Sequence, residues 1–363
     1  LQLTSIKNVK KGTIYMPNTV NKILSADKAE ILGIYGQNGS GKTAVVDALY
    51  FLQKVMIGAD LDQSLEDYMD MDSDTAEIFA DFNIFMDSIV FEIGYRLSLS
   101  RKEKEVVISR ETLSAAKNEN GIRTNKTVFM DYQRDQTNVI FKPQKRLDEV
   151  LEENKEIKTD LIVARKMAEK SNCSYIFGES SREIFCREYE NGFQQFSAII
   201  SSLFEFALKD LFVIRNTHSG VISANFVLPM AFRIENDNMG AKGDFTVSLT
   251  EPILVDEERK NLLETIVEQI NIVLYTIIPG LQVTIKNYGK QSLNDGEEGW
   301  KLELMSKREG MKEIPIRMES EGIIKIISIL NALIQAFGNP SNCLVIDELD
   351  SGIFEYMLGE LLD

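Results

Sequence analysis

The run Gly36-Gln37-Asn38-Gly39-Ser40-Gly41-Lys42-Thr43 constrains this chain more than any other stretch, because it fits the pattern G-x-x-x-x-G-K-[ST]. Its flanks are of the kinds that pattern requires. Glu30-Ile31-Leu32-Gly33-Ile34-Tyr35 is short and apolar, and Ala44 to Leu52 carries apolar residues at helical spacing, so strand, loop and helix are expected in that order. Gly36, Gly39, Gly41 and Ser40 let the backbone curl until successive N–H groups point inward, and the following helix adds its positive N-terminal end. Such a cradle suits a polyphosphate. Lys42 is expected to reach the β- and γ-phosphates of ATP, Asn38 to complete the loop, and the Thr43 hydroxyl to ligate Mg²⁺.

With 363 residues and 44% apolar content, the chain has enough material for a large core or for two. No window approaches the roughly 20 uninterrupted apolar residues of a membrane span. The most apolar long stretch, Ile323 to Phe337, is interrupted by Lys325, Asn331 and Gln335. Leu1 to Ile6 alternates as a strand does, which is not the pattern of a leader peptide. The three cysteines, Cys173, Cys186 and Cys343, have no metal-ligand spacing and predict reduced thiols and a cytoplasmic location, while the lack of a spanning window predicts no membrane partner.

A net charge of −16 argues against a surface that coats duplex DNA as a whole. The charge is segregated, however. Residues 98–146 hold 11 Lys or Arg against 6 Asp or Glu, whereas residues 60–87 hold 10 acidic residues and no basic one. DNA is therefore a possible partner of the first stretch, with a solvated face as the plainer reading. In the second, Asp70-Met71-Asp72-Ser73-Asp74 with Asp81 at the twelfth place faintly matches a calcium loop; Thr75 replaces the glycine required at the sixth place, and an acidic rim is the better expectation.

Alternating segments at 77–85, 88–98, 105–112, 126–133 and 139–141 predict an antiparallel meander. From Gln144 to about Leu211 the period becomes helical, with no heptad run long enough for an extended coiled coil. Strands are expected again at 211–214, 245–249, 281–286 and 299–305, and a helix from Asp256 to Ile277 that stops at Pro279-Gly280.

Cys343-Leu344-Val345-Ile346-Asp347-Glu348 reads as a buried parallel strand ending in two carboxylates, Asp347 for the Mg²⁺ shell and Glu348 to polarise the attacking water. About 27 residues upstream, Ser320-Glu321-Gly322 opens a long apolar helix. A hydroxyl and a glycine at a helix N-terminus make an anion site, or Ser320 simply caps the helix.

Taken in order, these motifs resemble the ABC-type ATPases, and within them the SMC, RecF and OLD group of AAA-like ATP-binding proteins found in bacterial anti-phage defence systems. The resemblance implies an α/β fold, a P-loop NTPase built as an ABC-ATPase head with an antiparallel β-subdomain and a helical insertion. It implies a lobe at 1–145 with the P-loop and meander, an insertion at 146–211, and a lobe at 212–363 with the signature, the Walker B strand and a D-loop at Asp350-Ser351-Gly352. In that group the Ser-x-Gly signature meets the γ-phosphate held by the opposite subunit. Ser320 and Gly322 match it, with Glu321 in place of the transporter glycine. A homodimer or higher even-numbered oligomer follows, acting as an ATP-hydrolysing switch on a protein effector, a nuclease or toxin; a DNA-clamping repair or chromosome-organising head is the alternative.

The family's switch histidine has no counterpart, since the single histidine is His218 in a turn-like setting, and Gln133, Gln136 and Gln194 compete for the Q-loop position. Because the sequence starts at Leu1 and stops at Asp363 inside an expected helix, a lost C-terminal segment carrying the histidine strand is expected.

Overall fold

Alternation of apolar and polar residues forces long strands in the first half of the chain, and an unbroken apolar run forces a deeply buried helix near its end. A computed structural model describes residues 1–16, 30–61, 63–86, 89–102, 105–136, 157–190, 192–215, 227–236, 239–292, 298–339 and 341–362. The expected strand at 139–141, the first part of the helical stretch and His218 lie outside these residues. The chain divides into two compact units, Leu1–Ala26 with Leu32–Leu211, and Asp27–Ile31 with Phe212–Asp363.

In the first unit, β1 (Gln2–Ile6), β2 (Val9–Thr13), β3 (Thr75–Met86), β4 (Ile89–Lys102), β5 (Glu105–Glu119) and β6 (Ile122–Arg123) follow one another in the order β2-β1-β3-β4-β5-β6. A further strand, β7 (Thr127–Gln133), also pairs with β5, and every pairing is antiparallel. The meander is thus formed as its alternation requires: Ala76, Ile78 and Ala80 of β3 and Ile93, Tyr95, Leu97 and Leu99 of β4 are buried at every second place. Onto this face pack α1 (Lys42–Met56), α2 (Ile157–Ser171), α3 (Glu179–Phe185) and α4 (Gln194–Glu205), in one apolar core that runs from Leu3 to Ala207. Stacked Tyr132 and Tyr175, with ring centres 4.9 Å apart, join β7 to the segment between α2 and α3. The helices after residue 156 therefore share the core of the sheet.

Two predicted features take another form. The apolar segment before the loop makes no strand, and Ile31, Leu32, Ile34 and Tyr35 are exposed. Within the first unit β1 already has β2 on one edge and β3 on the other, which leaves it no free edge to offer. The faint calcium loop is ruled out by its own sequence partners: Asp70 pairs with Lys10 at 2.7 Å, and the sixth place, Thr75, is the first residue of β3.

The second unit contains β8 (Leu211–Ile214), a hairpin of β9 (Val227–Asn236) and β10 (Met239–Ser248), and a sheet of β11 (Ile253–Val255), β13 (Glu298–Arg308) and β12 (Leu281–Ser292) with β14 (Ile314–Pro315) on β13. Against these lie α5 (Glu257–Ile277), α6 (Glu321–Gly338) and α7 (Glu355–Leu362), and β15 (Cys343–Ile346) pairs with β8. Asp256 starts α5 by accepting the Arg259 amide at 2.7 Å. Helix α6 is apolar on nearly all sides because it lies between two clusters: Ile323, Ile324, Ile326, Ile327 and Leu330 enter one, Ile329 and Ala332 the other. Each such isoleucine or leucine side chain contributes about 1.5–3 kcal/mol on burial.

Burial pushes the Cys343 thiol up to about 11, and all three cysteines are free. Among the described residues no helix is long and apolar enough to cross a membrane.

Candidate functional site

Gly36 to Thr43 form an exposed loop that turns directly into α1, with Gly41 buried at its end. Gly39 and Gly41 both have positive φ, 82° and 95°, so the last turn of the loop is left-handed. At Gly41 space adds to conformation: a Cβ there would sit 2.5 Å from Val9 Cγ2. The β1–β2 turn braces the loop in two further ways. Asn8 Nδ2 donates to the Gly39 carbonyl at 2.5 Å, and Lys7 forms an ion pair with the buried Asp47 of α1.

Lys42 Nζ donates to the carbonyls of Gly36 at 2.7 Å and Gln37 at 3.0 Å, so its ammonium is curled back over the loop. No side chain caps α1, whose first amides remain at the loop's open end, and the Thr43 side chain is exposed beside them. One hydroxyl at a helix N-terminus fits a Mg²⁺ ion that takes few protein ligands and keeps phosphate and water for the rest. The other end of α1 is anchored, since Gln53 Nε2 donates to the carbonyls of Ala207, at 3.2 Å, and Leu211.

The remaining candidate residues belong to the second unit. Strand β15 is half-buried, where the sequence predicted full burial: its described pairing is with β8, and Leu344 and Ile346 pack on the cluster that holds Ile329 and Ala332. The Asp347 amide continues the pairing, donating to the Ile214 carbonyl at 2.9 Å, and the Asp347 side chain is buried. Glu348 is exposed and has φ of 51°, a left-handed conformation that costs a non-glycine residue about 1–2 kcal/mol.

Ser320 occupies the N-cap position of α6, is exposed, and makes no side-chain cap bond. Its hydroxyl is thus not spent on the helix, which was the plainer reading of the motif. Just before it, Glu319 receives both arms of Arg308, at 2.6 and 2.8 Å, and the Ser306 hydroxyl, fixing the signature segment to β13. Burial raises the Glu319 carboxyl, and the Arg308 guanidinium and Ser306 hydroxyl outweigh it, so it stays below its ordinary value. Gly322 is buried against Gly352, and Lys325 Nζ donates to the carbonyls of Glu348 at 2.5 Å and Ser351 at 2.8 Å. Ser320, Gly322, Asp347 and Glu348 are therefore brought together on one scaffold of α6 and the turn after β15.

Sequence reading missed Lys325, Lys7, Asn8, Arg308 and Glu319. A lone lysine in an apolar helix was a visible signal for the first; nothing local marked the others. Of the three competing glutamines, Gln133 donates to Asp131 at 3.4 Å, Gln194 Oε1 accepts the Tyr189 amide at 2.5 Å, and Gln136 follows β7 in a turn.

Among the described residues, most cations of the basic stretch are paired with neighbours. Arg101 pairs with Glu66, Lys102 with Asp135, Arg110 with Asp131, Lys117 with Glu119, Arg123 with Glu92 and Lys126 with Asp81. Cations matched in this way have little left to exchange for phosphate counterions.

A glycine-rich loop closing on the N-terminus of a packed helix, with Lys42 folded over its carbonyls, has the form of a P-loop nucleotide site. Residues 31–158 match the family described as AAA domain, putative AbiEii toxin, Type IV TA system. Among solved structures, the Smc head domain with an extended coiled coil bound to the C-terminal domain of ScpA, from Pyrococcus furiosus, is 14% identical, with 99% of this chain and 84% of that one covered and a TM-score of 0.39. The SmcHead bound to the C-winged helix domain of ScpA is likewise 14% identical, with coverage of 99% and 83% and a TM-score of 0.41. Likeness at that level transfers no property of those proteins to this one. No curated protein matches the chain in sequence.

Proposed function

We propose that the chain binds ATP with Mg²⁺, hydrolyses it, and works as a dimerising switch on a protein effector. The observation that carries this reading is the loop itself, open at the α1 N-terminus with Lys42 resting on carbonyls that a nucleotide's phosphates would replace as its partners. Gly36, Asn38, Gly39, Ser40 and Gly41 would cradle the phosphates, Lys42 would neutralise them and Thr43 would ligate Mg²⁺; the motif resemblance gives Asp347 a place in the ion's shell as well. The ion supplies charge neutralisation at the phosphates when bound. Glu348, exposed at the end of β15, would orient and deprotonate the attacking water.

Ser320 supports the composite reading, because an exposed hydroxyl at the N-terminus of α6 suits the γ-phosphate of a second copy. The family description, with its putative toxin and Type IV system, supports a place in a toxin-based defence arrangement in which ATP turnover controls a toxin or nuclease. Pairing of the basic stretch weighs against the DNA-clamping alternative.

The test is ATP binding and turnover by the purified chain, with Lys42→Ala and Glu348→Gln. Binding is expected to fail in the first and survive in the second, with turnover lost in both; unchanged binding by Lys42→Ala, or wild-type turnover no higher than that of Glu348→Gln, overturns the proposal.

A further inference from the structure

Lys325 is the charged residue that interrupts the apolar sequence of α6, and it is buried, with 5% of its surface exposed. A lysine so placed needs partners, since an ammonium removed from water without them costs several kcal/mol. The partners it has are main-chain oxygens: the carbonyl of Glu348 at 2.5 Å and that of Ser351 at 2.8 Å. These two carbonyls bracket the turn that follows β15, in which the Ser351 amide donates to the Glu348 carbonyl at 3.1 Å. The first residue of that turn is Glu348, held in a left-handed conformation. Strain of this kind persists only where surrounding contacts over-determine it.

A second contact joins the same two segments. A Cβ on Gly322 would lie 2.3 Å from the Gly352 carbonyl oxygen, so the first turn of α6 and the segment after Ser351 touch backbone to backbone. Burial pushes the Lys325 ammonium below its ordinary value, while the carboxylates of Asp350, Glu348, Glu321 and Asp347 pull it the other way.

We propose that Lys325 is a positioning residue for the hydrolytic carboxylate. From the signature helix its ammonium fixes the strained turn that aims Glu348, and it makes that turn and the Ser320-Gly322 segment one rigid piece. The inference rests on the ATPase reading above and adds to it the residue that holds the hydrolytic carboxylate in place.

The experiment uses the full chain with Lys325→Met, which keeps the length and removes the donors, and Lys325→Arg, which restores them. For Lys325→Met, kcat is expected to fall at least about tenfold with KM for ATP little changed, because the carboxylate is misplaced and the phosphate loop is not. Lys325→Arg should recover most of that loss. Amide exchange at Ser351 and Ile353 should quicken in Lys325→Met, with the amides of α5 unaffected. Unchanged exchange at that turn overturns the clamp, and quickened exchange with wild-type kcat overturns the positioning role. Should no variant, nor the wild type, turn over ATP, the ATPase reading falls and the positioning role with it, while the exchange rates still decide the clamp.

Discussion

Gly322 of α6 and Gly352 of the turn after β15 meet so closely that a single added carbon would lie 2.3 Å from the Gly352 carbonyl oxygen. The obstacle is main chain, which cannot rotate aside. Gly322→Ala is therefore expected to cost about 1–3 kcal/mol in a urea unfolding series and to depress ATP turnover beyond that loss. Wild-type stability would show that the two segments are free to separate.

Ser320→Arg places a long cation at the exposed start of α6, where the hydroxyl makes no cap bond that would be lost. On the composite-site reading, the Glu348→Gln protein dimerises when ATP is added, and Ser320→Arg in that background abolishes the dimer and leaves nucleotide binding by the monomer intact. Light scattering with and without ATP checks this. Persistence of the dimer contradicts a γ-phosphate role for Ser320.

Two buried carboxylates respond to pH in opposite directions. Burial raises the Glu111 carboxyl even though the Tyr95 hydroxyl at 2.7 Å, the Ser174 hydroxyl at 2.6 Å and the Tyr175 amide at 2.6 Å all donate to it. The folded state thus holds its proton more tightly than the unfolded chain, and the stability from this group is full below the ordinary carboxylate range and lost as pH rises through the raised value. Glu319 lies below its ordinary value, so its contribution is present above that range and lost as pH falls through the lowered one. Glu111→Ala should cost on the order of 3 kcal/mol by orphaning buried donors, and flatten the first dependence. Arg308→Leu should cost about 3 kcal/mol by leaving Glu319 buried and unmatched, and remove the second. Urea midpoints between about pH 2 and about pH 8 separate the two.

The charge pattern predicts weak attraction to DNA despite the basic run. With Arg110 on Asp131 and Arg123 on Glu92, binding to duplex DNA at low salt should be absent or nearly flat against salt concentration in a filter-binding series. A steep negative slope would revive the clamping alternative.

The sequence by itself determined the elements whose signal is local. Glycine and Lys-Thr spacing marked the loop at 36–43, period-two alternation marked β3, β4, β5 and β7, and the apolar run after Ser320 marked α6, because backbone sterics and side-chain periodicity act within a few residues. What depends on distant chain segments was decided by the tertiary structure. The apolar run at 31–35 satisfies every local rule for a strand and forms none, since a strand exists only where an edge is offered to it. Lys325 looked like a flaw in an apolar helix until folding set the Glu348 and Ser351 carbonyls beside it. Main-chain oxygens carry no sequence signature, so the partners of a buried cation become visible only when the fold has brought them there.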